Sequence, residues 1–121
     1  MRNILVVDDD ADLRMSVVSA LLESQYNVEQ AADGEEAVNR VKAGSYDLVL
    51  MDVNMPKLSG IEALKEIKAH DPSIMVIILT AFSNIRDAIE ATRLGAYNYL
   101  EKPVKSDNLV YMIDLAFKSQ N

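Results

Sequence analysis

Four short apolar runs punctuate the chain, and each stops at one polar residue: NILVV at Asp8, DLVLM at Asp52, IMVIIL at Thr80 and YNYLE at Lys102. Between them lie segments whose apolar residues recur at helical spacing. Runs of Val, Ile and Leu this short, alternating with helical stretches, read as strands of a parallel sheet buried on both faces. Helices must then cover both sides of that sheet. All the carboxyl ends share one edge, the edge at which open α/β sheets bind ligands. Carboxylates, a hydroxyl and an ammonium are therefore expected to converge there.

Five strand-helix units follow in order, with no linker, repeat or low-complexity stretch. The first strand is expected near Asn3 to Val7. The helix after it, near Asp12 to Ser24, carries Leu13, Val17, Ala20, Leu21 and Ser24 on one face. A second strand covers Asn27 to Ala31. Asp33 with Glu36 forms a capping-box-like start for a helix reaching Lys42, with Gly44 as its stop. After the third strand and a loop holding Pro56 and Gly60, Ile61, Leu64, Ile67 and Lys68 trace a third helix. Asp71-Pro72 must end it, because the residue before proline avoids helical geometry. Ser83 or Asn84 can cap a fourth helix carrying Ile85, Ala88, Ile89 and Leu94, closed by Gly95. The fifth strand, Tyr97 to Leu100, leads through Lys102-Pro103 to a helix capped by Ser106. The 121 residues are thus expected to form one α/β domain, spanning 1–121.

Bulk properties bound the functions available. No stretch approaches the roughly 18 consecutive apolar residues of a membrane span. The chain enters a strand directly after Arg2 and Asn3, so no secretory signal is expected. The absence of cysteine rules out disulfides and thiolate metal sites, and suits a cytoplasmic protein. A formal net charge of −7 opposes direct contact with nucleic acid.

Right-handed crossovers with helices on both faces favour the flavodoxin-like, doubly wound (βα)5 arrangement, strand order 2-1-3-4-5. Its switch point lies between the first and third strands, beside Asp8, Asp9 and Asp52. Converging carboxylates disfavour one another's ionisation, so a cation is expected. Oxygen ligands without His or Cys favour a hard divalent ion, and a small, partly hydrated site favours Mg²⁺. The plainer reading of Asp8-Asp9-Asp10 is a solvated loop that caps the first helix. That reading leaves Asp52 unexplained. Asp52 could serve as a phosphoryl acceptor, with Lys102 as neutralising ammonium and Thr80 as a hydroxyl donor.

The motifs VVDDD, MDVNMPKLSG, ILTAF and YLEKP, in this order and spacing, make the whole chain resemble a response-regulator receiver domain of bacterial two-component signalling. The resemblance implies that a partner histidine kinase phosphorylates Asp52. It implies Mg²⁺ held by the Asp9 and Asp52 side chains and the Asn54 backbone carbonyl, with Asp8 acting through water. It also implies a cis Lys102-Pro103 bond that places the ammonium in the site. Thr80 would move toward the phosphoryl group and Tyr99 would turn inward, changing the surface of helix four, strand five and helix five. A bulky Phe82 would slow loss of the phosphoryl group. TAFSNIRDAIEATRLGAYNYLEKP is similar to receivers attached to enhancer-binding activators, so an output domain, and control of transcription, is expected beyond this segment.

Alternatives remain at this stage. A stand-alone receiver or phosphorelay intermediate would carry the same motifs. An aspartyl-phosphate phosphatase would place D-x-D-x-[TV] after the first strand, where Asp12 occupies the last of those positions. A flavodoxin-like cofactor binder needs a Ser/Thr-rich phosphate loop in place of three aspartates. A degenerate receiver would lack the acceptor, the lysine or the acidic pair. In the last helix, Leu109, Met112, Ile113 and Ala116 form a core-facing stripe, which Val110, Tyr111, Leu115 and Phe117 widen. That breadth is either generous packing or a homodimer or partner surface on helices four and five. His70, the lone histidine, is expected to face solvent at the end of helix three. Met55 is expected beneath the site.

Overall fold

The computed structural model describes residues 2–53, 55, 57–81 and 85–120, the side chain of Ile85 excepted. Strands β1 (Asn3–Val7), β2 (Asn27–Ala31), β3 (Leu48–Asp52), β4 (Met75–Thr80) and β5 (Asn98–Glu101) alternate with helices α1 (Ala11–Glu23), α2 (Gly34–Ala43), α3 (Gly60–His70), α4 (Ile85–Arg93) and α5 (Ser106–Ser119). The sheet is parallel with order 2-1-3-4-5, the doubly wound arrangement expected from the sequence. Among the described residues no helix is long and apolar enough to cross a membrane.

Two cores account for the apolar pattern. Leu5, Val7, Val49, Met51, Val76 and Ile78 point to the side covered by α2, α3 and α4. Ile4, Val6, Leu48, Leu50, Ile77 and Leu79 point to the side covered by α1 and α5. Both alternate faces of β1, β3 and β4 are therefore buried, which is why those strands read as unbroken apolar runs. The outer strand β2 is instead mostly polar, as NVEQA, and only Ala31 on it is buried, because the margin of the sheet is less completely covered.

Helix starts follow the sequence closely where a carboxylate is the cap. Asp10 caps α1 through bonds from the Asp12 and Leu13 N–H groups. Asp33 accepts from Glu36 N–H at 2.8 Å, while Glu36 reaches back to Ala32 N–H at 2.8 Å. The α5 start differs from expectation: Lys105 occupies the cap position without a side-chain bond, and Ser106 is the first helical residue. The candidate caps Ser83 and Asn84, and Pro56, lie outside the described residues.

Two apolar residues also fall elsewhere than their spacing suggests. Of the apolar residues expected to mark α4, Ala88 is fully buried, as is Ala91 beside it, whereas Ile89 is exposed. The buried positions of this nine-residue helix carry small side chains, and Ile89 lies on its exposed side. Phe117, expected to widen the outer face of α5, is buried. Its ring lies 5.6 Å from that of Tyr26 and beneath the Arg2 guanidinium at 4.5 Å. His70 is exposed, and Met55 packs against the α2–α4 core.

Two glycines have steric reasons. Gly95 turns the chain from α4 into β5 with φ +113, a left-handed conformation that other residues rarely adopt. Gly60, the first residue of α3, lies directly against the end of β3. A Cβ there would stand 2.4 Å from the Asp52 carbonyl oxygen and 2.7 Å from Val53 Cα.

Gly60→Ala should therefore destabilise the fold by about 1–3 kcal/mol, because the obstruction is backbone, and should shift the Val53 amide signal, in the peptide that carries the Asp52 carbonyl, most. Denaturant unfolding and amide chemical shifts measure the two effects. Glu36 gives a second prediction. The hydrogen bond from Ala32 N–H, with Arg40 beside it, lowers its pKa below the ordinary glutamate value. A depressed carboxylate stabilises the fold above its unfolded pKa and loses that effect as pH falls through the folded one. Glu36→Gln should thus unfold more readily than wild type at neutral pH. The gap should close on acidification in parallel denaturation series.

Candidate functional site

Among the described residues, the polar side chains that are buried are Asp8, Asp52 and Thr80. Each stands at the carboxyl end of a strand. Asp8 follows β1, and its N–H donates to the Ala31 carbonyl at 3.2 Å, tying it to the end of β2. Asp52 closes β3, level with Leu79 of β4. Thr80 closes β4, and its hydroxyl donates to the Ala81 carbonyl at 3.1 Å. Lys102 follows β5, and its N–H donates to the Thr80 carbonyl at 2.8 Å. Sheet registry thus brings residues from four strands to one place.

The Lys102 ammonium bridges two carboxylates. Nζ lies 3.1 Å from Asp8 Oδ2 and 3.1 Å from Asp52 Oδ2. Burial alone would lower the Lys102 pKa. The Asp8 and Asp52 carboxylates outweigh burial and leave it raised, so the lysine stays charged. The Lys102-Pro103 peptide is cis, as the receiver resemblance implies.

Asp9 completes an acidic cluster. One carboxylate oxygen from each of Asp8, Asp9 and Asp52 lies within 4.8 Å of the others. Asp9 is exposed, whereas Asp8 and Asp52 are buried. Asp8 Oδ2 is buried and makes no hydrogen bond, its contact being the ion pair to Lys102. At full ionisation three carboxylates face one ammonium. An all-oxygen set of this kind, with negative charge in excess, fits a hard divalent cation. The two readings of the aspartate run are both realised, by different residues: Asp10 caps α1 while Asp8 and Asp9 enter the cluster.

Tyr99 stands apart from the cluster. It is half-buried on β5 and packs on the α2–α4 side of the sheet, level with Ile78. Asn54, expected to offer a backbone carbonyl, and Phe82, expected to screen the phosphoryl group, lie outside the described residues. The sequence reading missed Arg14. Its Nη1 donates to the Asp8 carbonyl at 2.6 Å, and its Nε donates to Gln30 Oε1 at 3.0 Å. Arginine in the first turns of a helix ordinarily reads as a solvated charge. The partner on β2, sixteen residues away, has no signature in local sequence.

The Response regulator receiver domain family matches residues 4–114. Transcriptional regulatory protein ZraR of Escherichia coli strain K12 is 45% identical over 115 residues, covering 94% of this chain and 26% of ZraR. The chain thus spans about a quarter of the length of that curated relative. A crystal structure of a response regulator receiver domain protein from Clostridium thermocellum superposes with a TM-score of 0.93 at 34% identity, covering 99% of this chain and 97% of the other. NtrX from Brucella abortus gives a TM-score of 0.93 at 33% identity, covering 98% of this chain and 27% of NtrX. A family match across almost the entire framework, joined to this sheet order and this strand-end cluster, makes the chain a member of the response regulator receiver domain family.

Proposed function

We propose that Asp52 is the phosphoacceptor of a two-component switch, and that a sensor histidine kinase is the donor. The observation that carries this is the single ammonium of Lys102 held 3.1 Å from both Asp8 and Asp52. In the transfer, one Asp52 carboxylate oxygen attacks phosphorus. The new O–P bond replaces the P–N bond of phosphohistidine, and the imidazole nitrogen leaves with the bonding pair. Asp52 is fixed at a strand end, so its approach is pre-oriented. Lys102 stands ready to neutralise charge on the transferred group, and Thr80 supplies a hydroxyl for a phosphoryl oxygen. Mg²⁺ would be held by Asp9, Asp52 and the Asn54 carbonyl, with Asp8 acting through water, and would supply further positive charge against the phosphoryl oxygens. The domain performs no other catalysis than its own phosphorylation and dephosphorylation.

The switch itself runs through Thr80 and Tyr99 to the α4, β5 and α5 surface. Tyr99 is half-buried on an edge strand, where a change of rotamer costs little packing. Ile89, Tyr111 and Leu115 are 54%, 69% and 46% exposed on α4 and α5, an apolar allotment suited to homodimerisation or to an effector. The similarity to ZraR, a transcriptional regulatory protein of which this chain covers 26%, supports an output domain and transcriptional control in the whole protein, and this reading sets it in the cytoplasm.

Incubation with acetyl phosphate and Mg²⁺ should add one phosphoryl group by intact-mass spectrometry. Asp52→Asn should abolish the addition; an undiminished signal at the normal rate would overturn the assignment. Phosphorylation should also raise the sedimentation coefficient toward that of a dimer. Thr80→Ala should retain the added mass and lose that shift. Monomers in both states at high concentration would exclude the homodimer.

A further inference from the structure

Asp8 is held at its N–H by Ala31 and at Oδ1 by the Asp10 N–H, 2.9 Å away. Its carbonyl oxygen is held by Arg14 at 2.6 Å. That oxygen belongs to the peptide joining Asp8 to Asp9. Fixing it fixes the tilt of the peptide plane, and with it the direction in which the Asp9 side chain leaves the backbone. Asp9 is exposed, so neighbouring packing does little to orient it.

The placement of Arg14 is unusual for its surroundings. It is half-buried in the first turns of α1, where the helix dipole disfavours a cation. Carboxylates stand nearby in sequence at Asp9, Asp10 and Asp12, yet among the described residues none of the ion pairs involves Arg14. Its fork is used instead on two neutral oxygens, the Asp8 carbonyl and Gln30 Oε1. Two N–H groups at a fixed angle thereby lock the turn after β1 to β2, a task that a lysine's single ammonium performs less well.

We propose that Arg14 is a positioning residue of the phosphoryl site: by clamping the Asp8-Asp9 peptide to Gln30, it aims the Asp9 carboxylate at the cation. The proposal rests on the receiver reading above. Residues that orient metal ligands from behind are typically worth about 10–100-fold in metal affinity. Arg14→Gln should weaken Mg²⁺ binding by about tenfold in isothermal titration calorimetry. In acetyl phosphate reactions, its half-saturating Mg²⁺ concentration should rise more than its rate at saturating Mg²⁺ falls. Arg14→Lys should recover part of the affinity, and Gln30→Leu, which removes one arm of the clamp, should lie between Arg14→Gln and wild type.

Thermal unfolding of the metal-free proteins separates a strap from a positioner. A folded Arg14→Gln protein that binds Mg²⁺ as tightly as wild type overturns the proposal, whatever its stability. Should Arg14→Gln not fold, Gln30→Leu decides, and unchanged Mg²⁺ affinity in that variant overturns the proposal equally. Wild-type protein that neither binds Mg²⁺ nor takes up a phosphoryl group would instead overturn the receiver-site reading on which this one stands.

Discussion

One ammonium placed between two buried carboxylates governs the functional edge of the molecule. Lys102 reaches from the end of β5 across β4 to Asp52 on β3, and on to Asp8 after β1. A carboxylate taken out of water is costly unless it is paired, and these two are 1% and 7% exposed. The lysine is therefore a condition for burying both. It also leaves the site short of positive charge, since Asp9 adds a third carboxylate to the same cluster. That imbalance makes the edge attractive to a divalent cation, and Lys102 is already placed to meet a phosphoryl group on Asp52.

The sheet divides into a stiff centre and more accessible margins. β1, β3 and β4 are buried on both faces, so Asp8, Asp52 and Thr80 are aimed by strands that have little room to move. The edge strand β5 is only partly covered, and Tyr99 is half-buried upon it. Local rearrangement costs least where buried apolar contact is sparse. Chemistry is thus placed on the rigid part, and the surface proposed to change lies on the softer part beside it. Lys102, at the end of β5, belongs to both regions.

Particular residues show where local sequence is a sufficient guide. Asp33 and Glu36 announced their helix because the reciprocal cap is complete within the five residues from Ala32 to Glu36. Gly95 ended α4 as expected because its left-handed backbone is a local requirement. Ser106 is not the cap, because Lys105 holds the extended backbone at the helix entry and Ser106 is already helical. Ile89 and Phe117 failed for tertiary reasons. Packing of α4 buries Ala88 and Ala91 and leaves Ile89 exposed, while Tyr26 and Arg2, from distant parts of the chain, contact Phe117.

The five strand-helix units, the direction of the sheet and the residue type at each strand end can all be read from the order of the amino acids. Those follow from periodicity, capping and crossover handedness, which are local or general rules. The receiver motifs were legible for the same reason: each lies within a few consecutive residues. How the strand ends meet emerges with the folded arrangement. The 3.1 Å bridges from Lys102 depend on registry across β3, β4 and β5, and the Arg14 clamp depends on β2 lying beside β1. Distances between residues far apart in the chain are set by packing, and packing is a property of the whole fold.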